Sequence, residues 1–522
     1  MDQARARYAD GSARLSPDQA AVAVSVFGVA VGFELAAEQR RVVERLLTAG
    51  HGGDAVIGVA GSGKTSLMEA CRIGWDATGP TYAGASLSAI AAQNLQEGSG
   101  IPCRTIAAWL QCIHDGAGLA GLDVLVLDEA AMTDDRSMAV LLTEAARTGT
   151  KIIAIGDPQQ LQAIGPGGGF AEVHRLVSGE TLAVDRRQRD AGERAALQVW
   201  RTGARDQALN LFADRGRIHA TDSADDARRG ILTAWNQTRT RYDDAHDMLD
   251  NLVVLAARNH DAALLNTGAQ ALRRAAGELG RAHRYALPGG DALTLAVGDV
   301  VRVRANDYRS RRGTGPDVLN GYRAVVTDIA DDHRAQITWR RKNSDGKART
   351  AQAWLSPGQI TAGALSLGYA MTIAASQGLT TDTALVYGLG ANAYALYPGI
   401  TRARTANHLW LPAAALEDPE TRARLGEPRD ETELLDRALE AYIALLRQDR
   451  ADAMVSDQFR AAPEPVAPAP QVADEPAYLP KIAPPAPASA VITRVIPSSE
   501  RRVGGVCLGR VQCGGLLLLP HA

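Results

Sequence analysis

Cysteine, lysine, aromatic residues and long apolar runs are all scarce in this chain of 522 residues. Five cysteines are too few and too scattered for a disulfide framework or a zinc site. No apolar run approaches the roughly 18 residues that a membrane-crossing helix needs, and no signal peptide opens the chain, so the expectation is a cytoplasmic protein without membrane insertion. The net charge of −3 shows no global basic excess, although a local basic patch would still suffice to hold a polyanion. What the chain does have is 46% hydrophobic content, enough for two or three domains with cores of their own.

The most informative stretch is Gly58-Val59-Ala60-Gly61-Ser62-Gly63-Lys64-Thr65. It follows the apolar run Ala55-Val56-Ile57 and precedes a helical pattern from Ser66. This is the G-x4-G-K-[ST] phosphate loop. Gly58, Gly61, Ser62 and Gly63 let backbone N–H groups cradle phosphate oxygens, and the following helix points its positive end at them. Lys64 would reach the β- and γ-phosphates, and Thr65 would hold Mg²⁺. The cofactors expected are therefore ATP and Mg²⁺. Gln39, one helix and one strand upstream, is the candidate for reading adenine through its amide, with Gln19 as the rival.

Two further strands deliver polar groups. Leu122 to Leu127 ends in Asp128-Glu129, and paired acids at the end of a buried strand are costly without a task. Beside a phosphate loop, Asp128 would hold Mg²⁺ through water and Glu129 would position and deprotonate an attacking water. Lys151 to Ile155 ends in Gly156-Asp157-Pro158-Gln159-Gln160-Leu161, where Gln160 can sense the γ-phosphate. Between the phosphate loop and the first of these strands, Ser86 to Ala92 sits where a strand would turn into a helix and Thr105 would cap another; either could touch a nucleic-acid backbone, and capping explains both equally well. Three strands with polar carboxyl ends describe a doubly wound α/β sheet with its ligand at that edge.

The series GVAGSGKT, LVLDEAAM and IGDPQQL resembles motifs I, II and III of superfamily 1 helicases. The similarity is greatest to the RecD-like group that includes the helicase part of MobF-type conjugative relaxases (TraA and TraI). Downstream, Asp185-Arg186-Arg187-Gln188-Arg189 resembles motif IV, which implies that Arg187, or Arg186 by one register, reaches the γ-phosphate from a second RecA-like domain. An arginine facing a transferring phosphoryl group is also what electrostatic catalysis requires. Gly368 to Gly378 resembles the family's YA-x-T-I-H-K-S-Q-G motif, with Ala374-Ala375 in place of His-Lys. Tyr397 to Arg404 resembles motif VI and implies Arg402 as a second arginine finger.

Residues 291–356 have a different character. Short alternating runs such as Val300 to Arg304 and Gln336 to Trp339, separated by turn signals, read as a small β barrel. From Asp299 to Arg349 there are twelve Lys/Arg against seven Asp/Glu, an excess of five in an acidic chain. Trp339 beside Arg340-Arg341-Lys342 suits a single-strand backbone and a stacked base. The resemblance implies a Src-homology-3-type barrel that grips the strand.

The expected organisation is α/β: two RecA-like P-loop domains with parallel sheets plus the inserted barrel. The expected limits are a lead-in over 1–34, the first RecA-like domain over 35–180, the second over 181–290 and 357–415, and the barrel over 291–356. A C-terminal helical region would cover 416–455 and a Pro-rich disordered tail 456–522. The resemblance implies an ATP-dependent helicase or translocase on single-stranded DNA, 5′ to 3′, in conjugative transfer. Protein partners in conjugation or recombination would dock through the tail. No His-x-His cluster occurs, so no nicking activity is expected. The rivals are a RecD-type repair helicase and an ATP-gated DNA-binding accessory protein that does not unwind.

Overall fold

The computed structural model describes residues 2–342 and 348–449. The expected Pro-rich tail, and any docking through it, lies outside these residues. Among the described residues no helix is long and apolar enough to cross a membrane.

The first lobe is built on six parallel strands: β1 (Gly53–Gly58), β2 (Tyr82–Ser86), β3 (Cys103–Thr105), β4 (Val124–Leu127), β5 (Lys151–Gly156) and β6 (Glu180–Leu182), in the order β3-β2-β4-β5-β1-β6. β4 and β5 are buried along their whole length, as continuous Val/Ile/Leu runs between two helical layers must be. One layer packs Val42, Leu46, Leu67 and Trp75; the other packs Trp109, Met138 and Leu141. The lead-in joins this lobe. Ser16 caps helix Pro17–Val31 in a box with Gln19, and Ala20, Ala23 and Phe27 enter the first core. β6 continues the first sheet across the expected limit at residue 180.

The second lobe has five parallel strands in the order Ala370–Thr372, Leu252–Ala256, Thr381–Tyr387, Ala403–Pro412, Ile218–Thr221. The closing helix Glu431–Leu446 packs Ala438, Leu439, Tyr442 and Leu446 into its core.

Between the strands of the second sheet lies an antiparallel sheet in the order Ala348–Leu355, Ala335–Lys342, Arg323–Ile329, Val300–Val303, Leu365–Leu367. A hairpin of Ala282–Ala286 and Ala292–Ala296 shares its core with Tyr285, Leu295, Val301 and Val303. Among the described residues the two end strands of the sheet do not pair with each other, so the expected barrel is observed as an open sheet plus a hairpin. The module also recruits strands outside 291–356. Trp339 corrects a second expectation: it is buried in this core, stacked on Tyr322 at 5.5 Å, and is not available to a base. An indole on the inner face of an alternating strand fills the core before it serves a ligand.

Candidate nucleotide-binding site

The phosphate loop joins β1 to helix Lys64–Thr78. Gly61 and Gly63 hold φ of +77° and +82°, a region that costs side-chain-bearing residues. At Gly61 a β-carbon would also overlap the Asp185 carboxylate and Arg187. Glycine there lets the 183–190 segment lie on the loop, where the Arg186 N–H donates to the Gly61 carbonyl at 3.0 Å. Lys64 folds back, its Nζ donating to the Gly58 carbonyl at 3.0 Å. The Ser62 Oγ is buried without a hydrogen-bond partner among the described residues.

Asp128 and Glu129 follow β4 directly. Glu129 has a left-handed backbone at φ +52°, a conformation that costs on the order of 1–2 kcal/mol and concentrates at functional sites. Burial, with the neighbouring Glu129 charge adding and Lys64 opposing, lifts the Asp128 carboxyl to about 6. The loop after β4 passes so close to β5 that a β-carbon on Gly156 would sit 2.7 Å from the Ala131 nitrogen.

Two arginines approach from the far side. Arg187 lies on the segment that leaves β6 and crosses to the second lobe. Its Nη1 donates to the Thr401 carbonyl at 3.2 Å, and the Arg189 N–H donates to the Arg404 carbonyl at 2.7 Å. It therefore comes from the bridge between the lobes, whereas the motif resemblance implied the second domain itself. Arg186, the alternative by one register, points instead at Glu38, at 3.3 Å. Arg402 is 3% exposed and donates to the Pro398 carbonyl at 2.7 Å and the Ser376 carbonyl at 3.3 Å. Burial and then the Arg187 charge pull its guanidinium down to about 10; Arg187 is lowered too, chiefly by burial.

One cavity of about 280 Å³ is lined by Lys64, Thr65, Asp128, Glu129, Gln160, Arg187 and Arg402 together. The seven residues expected to act on the phosphates through their side chains thus face one space, whereas Gly58, Gly61, Ser62 and Gly63, expected to cradle phosphate, do not line it. Gln39 does not line it. Its Nε2 donates to the Ser62 carbonyl at 2.9 Å and its Oε1 accepts from the Ala36 N–H at 3.1 Å, so its amide braces the phosphate loop. Its rival Gln19 is engaged in the Ser16 capping box.

Sequence reading missed the link behind this cavity. Asp157, fully buried, is paired with Arg201 at 2.7 Å and accepts from Gln160 Nε2 at 3.2 Å, while Arg201 also donates to the Tyr397 hydroxyl at 3.2 Å. Gln160 on one lobe is thereby tied to the Tyr397 helix on the other. Arg201 ends helix Ala191–Arg201 and belongs to no motif, so only its partners identify it.

The donor set fits a magnesium nucleotide. A threonine hydroxyl and a carboxylate are hard oxygen ligands, too few for a metal alone, and Mg²⁺ completes its shell with phosphate and water. The buried Ser86 Oγ, on the same wall, has no partner among the described residues, as suits an atom that meets a ligand's water.

Comparison with known proteins agrees with the motifs. Residues 34–223 match the family model described as an AAA domain. The conjugal transfer protein TraA of Rhizobium radiobacter is 28% identical over 357 residues, 67% of this chain and 30% of that protein. The probable TraA of Sinorhizobium fredii is 27% identical over 382 residues, 71% and 32% respectively. RecBCD enzyme subunit RecD of Mycolicibacterium smegmatis is 28% identical over 310 residues, 56% of this chain and 50% of its own length. The chain thus spans about a third of the TraA relatives and half of RecD. Among solved structures, the Pif1 helicase from Candida albicans matches 75% of this chain and 99% of its own at 16% identity, with a TM-score of 0.46. Bacteroides Pif1 bound to ssDNA matches 68% and 88% at 18% identity, with a TM-score of 0.41. The sequence relatives agree with the resemblance that the motifs carry: over most of its described length this chain is similar to the TraA proteins, and over about half to RecD.

Proposed function

We propose that this chain hydrolyses ATP to move along single-stranded DNA as a helicase or translocase, 5′ to 3′, in conjugative transfer. The observation that carries the reading is the cavity shared by the phosphate loop, the paired acids and two arginines held from the opposite side. Lys64 leaves the Gly58 carbonyl to reach the β- and γ-phosphates. Thr65, and Asp128 through water, would hold Mg²⁺, which would neutralise phosphate charge when bound. Glu129 aligns a water for in-line attack and accepts its proton. Arg187 and Arg402 release the carbonyls of Thr401, Pro398 and Ser376 to meet the charge that develops on the transferred phosphoryl group. Their return after hydrolysis would open the cleft, and the cycle would step a strand lying across both lobes. The TraA relatives support the transfer context; the RecD relative supports a repair role for the same chemistry.

The test is ATPase rate with and without single-stranded DNA, in wild type and Glu129→Gln. DNA stimulation that disappears in the variant supports the motor, and strand displacement on 5′- and 3′-tailed duplexes then reads polarity. A second reading, the ATP-gated accessory protein, draws on Ala374 and Ala375, which line the cavity where the family motif carries His-Lys. ATPase indifferent to DNA would favour it and sink the motor.

A further inference from the structure

The same cavity has a third arginine that no motif accounts for. Arg302 lies on strand Val300–Val303 of the antiparallel sheet and lines the cavity with Asn320, Gly321, Ala374 and Ala375. Its Nε is buried and has no hydrogen-bond partner among the described residues. Its cross-strand neighbour is another arginine, Arg323, whose guanidinium is engaged with the Leu249 and Leu252 carbonyls. Like charges directly opposite on a sheet repel. Burial, and then Arg304, pull the Arg302 guanidinium below its ordinary range. A half-buried cation beside a like charge is costly unless an anion completes it.

The sheet is fixed so that this side chain must face the cleft. Val301 and Val303 on either side of it are buried in the module's own core, which turns Arg302 outward. The Asn320-Gly321 turn presses on the first lobe, where a β-carbon on Gly321 would lie 3.0 Å from Ile90. The Tyr322 hydroxyl donates to Gln93, and Arg341 pairs with Glu97 at 3.5 Å. These anchors are on helix Ala89–Ser99, whose residues Ile90, Ala91 and Asn94 form the opposite cavity wall.

We propose that Arg302 is a phosphate-binding residue through which the inserted sheet contacts the ligand of the cleft. It supplies from a third element a cation on the wall where Ala374 and Ala375 carry none. The phosphate belongs either to the nucleotide or to the backbone of the single strand. This inference rests on the ATP-and-DNA reading above.

The experiment measures two affinities separately on the full chain: a fluorescent ATP analogue without DNA, and a labelled oligothymidylate without nucleotide across a salt series. Arg302→Gln is expected to weaken one of them roughly tenfold, the loss typical of a charge-assisted hydrogen bond. If the strand is the source, the slope of log Kd against log salt falls by about 0.7, one single-strand phosphate contact. Arg302→Lys retains most of the affinity. Arg302→Gln should melt no lower than wild type, because it removes an unpaired cation. In wild type, phenylglyoxal labelling of Arg302, mapped by peptide mass, should slow when the ligand is bound. Unchanged affinities and slope overturn the inference, as does a variant that melts well below wild type or labelling without protection. A wild type that binds neither probe would instead defeat the motor reading and this inference with it.

Discussion

Asp128 shows how a carboxyl on the cavity wall costs stability when it is charged. Its carboxyl is held at about 6 in the folded chain against an ordinary 3.8. A folded state that binds the proton more tightly than the unfolded one loses stability as pH rises between those values. Below about 4 both states are protonated and the penalty vanishes; above about 6 it is fully present. Asp128→Asn should therefore raise the stability of the metal-free protein at pH 8, by at most about 3 kcal/mol. The gain should shrink to nothing near pH 4 in urea titrations, while ATPase is lost at every pH. A variant no more stable than wild type at pH 8 would remove burial as the cause. This residue was legible from sequence because its motif is local: a buried strand, then two acids. Gln39 was legible only as a conspicuous glutamine. That its amide braces Ser62 follows from a contact 23 positions away, which no local pattern encodes.

At the scale of elements, the cleft is held by groups that face each other only after folding. Arg201 pairs with the wholly buried Asp157 and touches Tyr397. Removing one partner of such a pair strands the other's charge, typically at 3–5 kcal/mol. Arg201→Ala is expected to cost on the order of 3 kcal/mol by chemical unfolding and to slow DNA-stimulated ATPase beyond what lost folding explains. Full activity at low temperature would reduce Arg201 to a packing role. The second sheet holds another such contact: His219 on strand Ile218–Thr221 bonds His408 on strand Ala403–Pro412 at 2.9 Å. Burial, followed by the His219 and Arg217 charges, depresses His408 to about 4 from 6.5. Above pH 6.5 neither state is protonated there, and below it the unfolded chain takes the proton first. Stability is thus lost as pH falls from 6.5 toward 4. His408→Gln should show a shallower decline of urea midpoint between pH 7 and 5 than wild type, other buried histidines leaving a residual slope. Motif VI was legible up to Arg404, but neither the strand Ala403–Pro412 nor a histidine contact 189 positions away was read from a local pattern. The antiparallel module fared likewise: its runs were legible as strands, but the outer strand Leu365–Leu367 is too short to announce itself.

At the scale of the molecule, three bodies meet at one cavity, the antiparallel sheet sharing a buried apolar core with the second lobe through Val300, Val325 and Tyr369 and packing on Ala89 and Ile90 of the first. The antiparallel sheet grips the first lobe through Tyr322 and Arg341, and the second through Arg323 and Arg340, the latter bonded to Asp247 and Asp250. The lobes themselves meet at Arg201 and along the 183–190 bridge. The contacts named between the two lobes themselves are polar, and polar contacts of that kind separate at modest cost. A nucleotide that binds both lobes should then weld them. A non-hydrolysable ATP analogue at about a hundred times its Kd should stabilise the chain by about 2.7 kcal/mol against unfolding. More tellingly, it should merge any separate thermal transitions of the lobes into one. In Arg402→Gln the analogue still meets Lys64, Thr65 and Asp128 on the first lobe, so binding should survive while the welding is lost. Calorimetry would then show a first-lobe transition that rises with analogue and a second-lobe transition that does not. If both transitions still rise together in the variant, Arg402 does not carry the connection between nucleotide and second lobe, and Arg187 on the bridge must carry it instead.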